Sequence, residues 1–135
     1  MVAIADFDRD DMYWKDGRTI VWGRNHKGQL GIGTRDQCNK PEKLSKLHSM
    51  SLRLTDVKCG LAFTLGLTHE NRLVYFGDRM FCLDNEIEED ILEPEELDDR
   101  NGSIKKMEVC YNKILTQNMH GDVTEYGDYL NSKSI

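Results

Sequence analysis

Five groups of residues in this 135-residue chain have types and spacings that invite a chemical reading. Carboxylates alternate at Asp6, Asp8 and Asp10 as in a calcium loop, but Asp11 stands where the sharp turn needs Gly and Gly17 where the bidentate Glu belongs. The run is therefore read as a solvated leader. Cys38, Cys59, Cys82 and Cys110 are spread singly with no CxxC pair, which argues against both zinc and a disulfide framework. His26, His48, His69 and His120 fall in expected loops or turns with no Ser or Cys nucleophile motif beside them, and read as surface histidines. The glycines Gly23, Gly28, Gly31 and Gly33 suggest a phosphate cradle, but no Lys-Ser/Thr pair follows and no helix is expected to open behind them. No catalytic residue, cofactor or metal is expected, and the chain is not read as an enzyme.

The fifth group is acidic. From Asp84 to Asp99 there are ten carboxylates and no Lys or Arg. Such a run is ordinarily a solvated loop or helix face. If it binds a partner, through Glu86, Glu88, Glu89, Asp90, Glu93, Glu95 and Glu96, that partner's surface must be basic. Ile87, Ile91 and Leu92 would line one face of a short helix that Pro94 interrupts.

The elements that position these residues follow from periodicity. Gly17 to Gly23 (GRTIVWG), Asn71 to Gly77 (NRLVYFG) and Gly121 to Gly127 (GDVTEYG) share a turn residue, a short strand, an aromatic and a closing glycine. The closing glycines lie 54 and 50 residues apart. Trp22, Phe76 and Tyr126 share the aromatic position and are expected in the core. A second strand precedes the later two copies, Asp56–Gly60 leading into Thr64–Thr68 and Ile104–Cys110 leading into Ile114–Thr116. Cys59 and Cys110, 51 residues apart, are then matched as small buried hydrophobes. Between Thr34 and Leu54 a polar connector with Pro41 precedes Leu44, Leu47 and Met50 at helical spacing and a strand at Ser51–Leu54. Met12-Tyr13-Trp14 reads as a first strand, and Asn101-Gly102 as a turn.

Bulk properties limit the function classes. Twenty-four acidic against 18 basic residues give a formal charge of −6, so direct nucleic-acid binding is not expected. The apolar start meets Asp6 at once, unlike a signal peptide, and no apolar stretch is long enough to span a bilayer. An intracellular, cytoplasmic or nuclear location is expected.

The ordered set Val21-Trp22-Gly23, Asn25, Gly28-Gln29-Leu30-Gly31-Ile32-Gly33, Pro41, Val57-Lys58-Cys59-Gly60, Thr64–Thr68 and Val74–Gly77 resembles the regulator of chromosome condensation (RCC1) repeat. Kelch repeats have a similar period, but their Gly-Gly doublet is absent. The likeness is good from Gly17 to Gly77 and reaches Gly127 weakly. The usual His after Cys-Gly is replaced by Phe63, and by Ile114 in the last copy, where Tyr111 takes the place of Gly. The resemblance implies an all-β fold, a partial or open β-propeller of four-stranded antiparallel blades, here with an acidic loop or helix insert. One repeat domain is expected, with 1–16 as leader and incomplete first blade, 17–77 as the best-preserved repeat and 78–135 as a degenerate repeat carrying the insert at 84–99. Gln29, Leu30, Cys59, Gly60, Phe76, Gly77, Tyr126 and Gly127 join the residues above as structural motif positions. The function expected is a non-catalytic interaction or scaffold module within a larger protein assembly. The alternative that the resemblance implies is guanine nucleotide exchange on a small GTPase.

Overall fold

The computed structural model describes residues 2–5, 18–79, 89–97, 102–110, 113–127 and 130–134. They form three antiparallel sheets in chain order. The first is β1 (Val2–Ala5), β2 (Arg18–Gly23) and β3 (Cys38–Lys43); the second is β4 (Leu54–Cys59), β5 (Phe63–Thr68), β6 (Leu73–Gly77) and β7 (Ile91–Glu96). The third is β8 (Ile104–Cys110), β9 (Lys113–Asn118), β10 (Val123–Gly127) and β11 (Leu130–Ser134). A single short helix among the described residues, α1 (Ser45–Ser49), follows β3 and buries Leu47, with Leu44 buried just before it.

Each sheet is a meander of short strands, and a lone sheet of this kind cannot bury both faces. The second sheet solves this by lying between the other two. Every residue of β5 and β6 is buried, on both faces. In β9 only alternate residues are buried, Ile114, Thr116 and Asn118. The core runs through all three sheets, from Val21 and Leu30 through Phe63, Leu65, Tyr75 and Phe76 to Ile104, Met107 and Tyr126.

Register makes the internal repeat continuous. Leu54 pairs with Thr68 and Ile104 with Asn118; Cys59 pairs with Thr64 and Val109 with Ile114. An offset of 50 residues thus relates the second sheet to the third from β4 through β6. The turn closing β5 shows the same chemistry twice. Thr68 Oγ1 accepts from the backbone N of Glu70 and Arg72, and Asn118 Oδ1 accepts from the backbone N of His120 and Asp122. A left-handed residue completes each turn, Asn71 at φ 63° and Gly121 at φ 91°.

Several sequence expectations change. Cys59 matches Val109, not Cys110, and both Cys59 and Cys110 are exposed. They stand at strand ends, where the inward alternation no longer applies. The connector with Pro41 contains a strand, β3, and Ser51 takes a left-handed turn (φ 57°) with the following strand starting only at Leu54. The described part of the acidic run is a strand as well, not a helix. Pro94 sits within β7 at the position that Pro41 holds in β3, beyond a bulge that both edges share (Gly23↔Cys38 then Val21↔Glu42; Gly77↔Ile91 then Tyr75↔Glu95). β1 was not anticipated. Met12–Trp14, Asp6–Asp11, Glu86, Glu88 and Cys82 lie outside the described residues.

Candidate interaction surface

The glycine-rich loop after β2 is a wedge between the first two sheets. Asn25, 1% exposed, closes it from inside: Nδ2 donates to the carbonyls of Thr34 (2.7 Å) and Asp36 (3.0 Å), and Oδ1 accepts from Leu30 N (3.0 Å). Gln29 Oε1 accepts from Lys27 N at 2.8 Å, while Thr64 Oγ1 reaches across from β5 to donate to Gln29 O at 2.8 Å. Gly33 N donates to Leu92 O on β7. Leu30 is fully buried and Ile32 packs beside it. Gly31, at φ +72°, lies so close to the second sheet that a Cβ would stand 2.8 Å from Phe76 Cδ2. The loop's amides and carbonyls therefore serve the sheet-to-sheet joint. Of the aromatic positions, Phe76 and Tyr126 are buried and Trp22 is half-buried.

Phe63, at the position where a His was expected, stacks on Tyr75 with ring centroids 5.2 Å apart and lies against Gly60. Tyr75 Oη donates to the carbonyl of Asp78, and burial pushes the phenol well above its ordinary range. Burial also raises the Asp78 carboxyl, with Asp90 adding to the rise and Lys27 and His26 opposing it.

The acidic edge lies along β7 beside this joint. Arg35 pairs with Asp90 (3.2 Å), Arg72 with Glu96 (3.6 Å) and Arg79 with Glu95 (3.9 Å). Arg79 Nε also donates to Glu89 O at 2.9 Å. Basic side chains from three places in the chain thus already meet the run. Glu93 instead helps line an open cleft of about 500 Å3 with Gly31, Ile32, Glu42, Lys43, Ser45, Lys46 and Ser49. Its two lysines and two glutamates balance, which gives it no preference for a charged ligand.

The histidines do not converge. His26 Nδ1 lies 3.2 Å from Gln29 Nε2; His69 Nδ1 accepts from Arg53 N at 3.2 Å, with Nε2 3.7 Å from Glu70; His120 is exposed on the other sheet's turn. Cys38, Cys59 and Cys110 are free thiols, and burial raises the pKa of Cys38, helped by Glu42. No group of three His, Cys, Asp or Glu among the described residues is placed to hold a metal.

Sequence reasoning missed one surface, the outward face of the third sheet. The 50-residue offset sets Lys113, Leu115, Gln117, Val123 and Glu125 against Phe63, Leu65, Leu67, Leu73 and Tyr75 of the second sheet. The second sheet's five are all buried. In the third sheet Leu115 is 40% exposed, and Lys113 and Glu125 pair across the strands at 3.6 Å. The signal was present in a residue-by-residue alignment at 50, which the choice of 51 from the two cysteines concealed.

Residues 16–67 match the Regulator of chromosome condensation (RCC1) repeat. The human E3 ubiquitin-protein ligase HERC2 is 32% identical over 62 residues, 46% of this chain and 1% of that protein. Protein RCC2 of Mus musculus is 35% identical over 63 residues, 47% of this chain and 12% of its own. Among solved structures, human WBSCR16 superposes with a TM-score of 0.77 at 18% identity, over 89% of this chain and 33% of that one. Prp20p from Saccharomyces cerevisiae does so with a TM-score of 0.70 at 18% identity, over 84% and 30%. The chain spans a third or less of each of these proteins. The three sheets have the fold of part of an RCC1-type propeller. No helix among the described residues is long and apolar enough to cross a membrane.

Proposed function

From the premise that residues 16–67 are an RCC1 repeat within sheets that share an RCC1-type fold, we propose that the chain is a non-catalytic interaction module, a component of a larger protein assembly. The observation that carries this reading is the character of the buried polar groups. Among the described residues the buried polar side chains Thr19, Asn25, Thr64, Thr68, Thr116, Asn118 and Thr124 do not ionise, and the buried groups that can are Cys38, Tyr75 and Tyr126. Asn25, Thr64, Thr68 and Asn118 bond to loops, turns or the neighbouring sheet. Acid–base or nucleophilic chemistry needs converging groups with environments that tune them, and such convergence is what this interior lacks in its described part. The free thiols suit a reducing, intracellular setting.

The partner is a protein with a basic surface, met at the β7 edge around Glu89 and Glu93. The Prp20p structure was described together with that protein's binding to Gsp1p and histones, and Prp20 was also solved bound to Kap60. Histones are basic, the kind of surface that an acidic edge would meet. Nucleotide exchange on a small GTPase is the competing reading. The test is nucleotide release from purified small GTPases with and without the chain, together with binding of core histones at low and high salt. Unchanged release with salt-sensitive binding, reduced roughly tenfold by Glu89→Gln/Glu93→Gln, is the expected result. Accelerated release would replace the interaction reading by the exchange reading.

A further inference from the structure

Along the outer strand of the second sheet the carboxylates fall into two kinds. Asp90, Glu95 and Glu96 are each met by an arginine of the chain, Arg35, Arg79 and Arg72. Glu93, on the same strand, pairs with no cation among the described residues. It lines instead the open cleft of about 500 Å3 whose other residues come from the wedge loop, the end of β3 and α1. The charges there cancel in sum but are sorted by element. Lys43 ends β3 and Lys46 stands on α1 with the hydroxyls of Ser45 and Ser49, whereas Glu93 comes from β7 in the neighbouring sheet. Glu42, the other carboxylate, lies beside the Cys38 thiol. Ser49 Oγ donates to Lys46 O at 2.7 Å, and half-buried Ile32 gives the cleft apolar surface. Lys43, Lys46 and Glu93 are exposed and form no ion pair with one another, so water separates the two signs and their attraction is weak. A gap of this kind stays open to groups that complement both sides.

We propose that this cleft binds an extended segment of a partner protein that carries a basic side chain and, two residues away, an acidic one. The basic group meets Glu93, and the carboxylate is held by the Lys43 and Lys46 ammonium groups with the Ser45 hydroxyl as a further donor. Residues two apart on an extended chain project from the same face, about 7 Å from one another, which lets one segment serve both sides of the gap. A polypeptide suits the site better than a small zwitterion. The cleft is open and its charged side chains are exposed, so nothing engulfs a small molecule, and through Glu93 it is continuous with the acidic β7 edge. The proposal rests on the interaction reading and adds to it an acid that the partner must carry, which the acidic edge alone does not require.

The probe is a blocked five-residue peptide, glycine at both ends around arginine, serine and glutamate, titrated into the nitrogen-15-labelled full chain and followed by amide shifts. Saturable shifts at Ile32, Lys43, Ser45, Lys46 and Glu93 are expected, with a dissociation constant on the order of a millimolar because exposed charge contacts are individually weak. Replacing either the glutamate or the arginine of the peptide by glutamine should weaken binding roughly threefold. Lys43→Glu/Lys46→Glu in the chain should abolish binding of this peptide and create binding of one with arginine in place of its glutamate. The thermal midpoint should not change, since both lysines are exposed. A merely structural role for the lysines would not exchange one peptide for the other. Absent shifts, or equal binding once the glutamate is replaced by glutamine, overturn the proposal. So does a parent chain that prefers the di-arginine peptide, because the lysines would then contribute nothing. The histone test changes Glu89 and Glu93 and leaves the lysines alone. Lost histone binding with the peptide exchange intact therefore removes the acidic-edge reading by itself, and the reverse result removes this proposal by itself.

Discussion

Asn25 shows how one side chain can hold two sheets together. Truncating it leaves Leu30 N and two loop carbonyls without their partner inside a closed loop. Asn25→Ala is expected to cost about 3 kcal/mol in denaturant unfolding, at the upper end for an unsatisfied buried group because a donor and two acceptors are affected. Glycine substitutions separate crowding from backbone conformation. Gly121 (φ +91°) has nothing within 4 Å of a built Cβ, whereas Gly31 faces the Phe76 ring. Gly121→Ala should cost about 1 kcal/mol, the left-handed penalty alone, and Gly31→Ala at least about twice that. Asp78 gives a pH signature. Its carboxyl is raised by burial and by Asp90, so the folded state holds the proton more tightly than the unfolded one. That contribution is present below the unfolded value of about 3.9 and is lost as pH rises through the folded value. Asp78→Asn should therefore raise the thermal midpoint at pH 7, with the gain fading as pH falls towards 3. At this scale the wedge residues were legible because their types, Gly, Asn and Gln, have few other reasons to recur in that order. Cys59 and Cys110 misled because identity of residue type was taken for identity of position.

The strands show which elements a sequence announces. β2, β6 and β10 have β-branched or aromatic runs closed by glycine, and all are where the pattern put them. β3 and β7 were hidden because outer strands need bury little. β3 buries Cys38 alone, and β7 buries Ile91 and Pro94. Charge at such an edge reads as loop or helix until register is known. The repeated Pro-Glu, Pro41-Glu42 and Pro94-Glu95, was the available clue, since proline removes a donor that an edge would otherwise offer to another chain. Pro41 is exposed, so Pro41→Thr restores that donor without opening a cavity. The expected outcome is an almost unchanged thermal midpoint with greater concentration-dependent association in sedimentation velocity, and a variant as monodisperse as the parent would remove the edge-guarding role.

Across the three sheets, the faces of the second and third that point the same way differ in kind. In a stacked array each sheet is covered by its neighbours, and an end sheet stays soluble only if its outer face is polar. The second sheet's Phe63, Leu65, Leu67, Leu73 and Tyr75 are covered by the third sheet, while the third sheet's matching Lys113, Leu115, Gln117, Val123 and Glu125 are partly solvated. Three of the five apolar positions have become polar, and two of those hold an ion pair. An exposed pair of this kind adds little stability. Relative to the second sheet's residues, the polar residues weaken the hydrophobic drive to pack against this face, by several kcal/mol for three large side chains at about 25 cal/mol per Å2. Restoring the second sheet's residues as Lys113→Phe/Gln117→Leu/Glu125→Tyr should therefore make the chain associate through this face. Size-exclusion chromatography with light scattering is expected to show oligomers at micromolar concentration, and Leu115 should become protected from surface labelling after a Leu115→Cys reporter is introduced. Should the triple variant associate no more than the parent and keep its thermal midpoint, the polar substitutions would have no structural explanation.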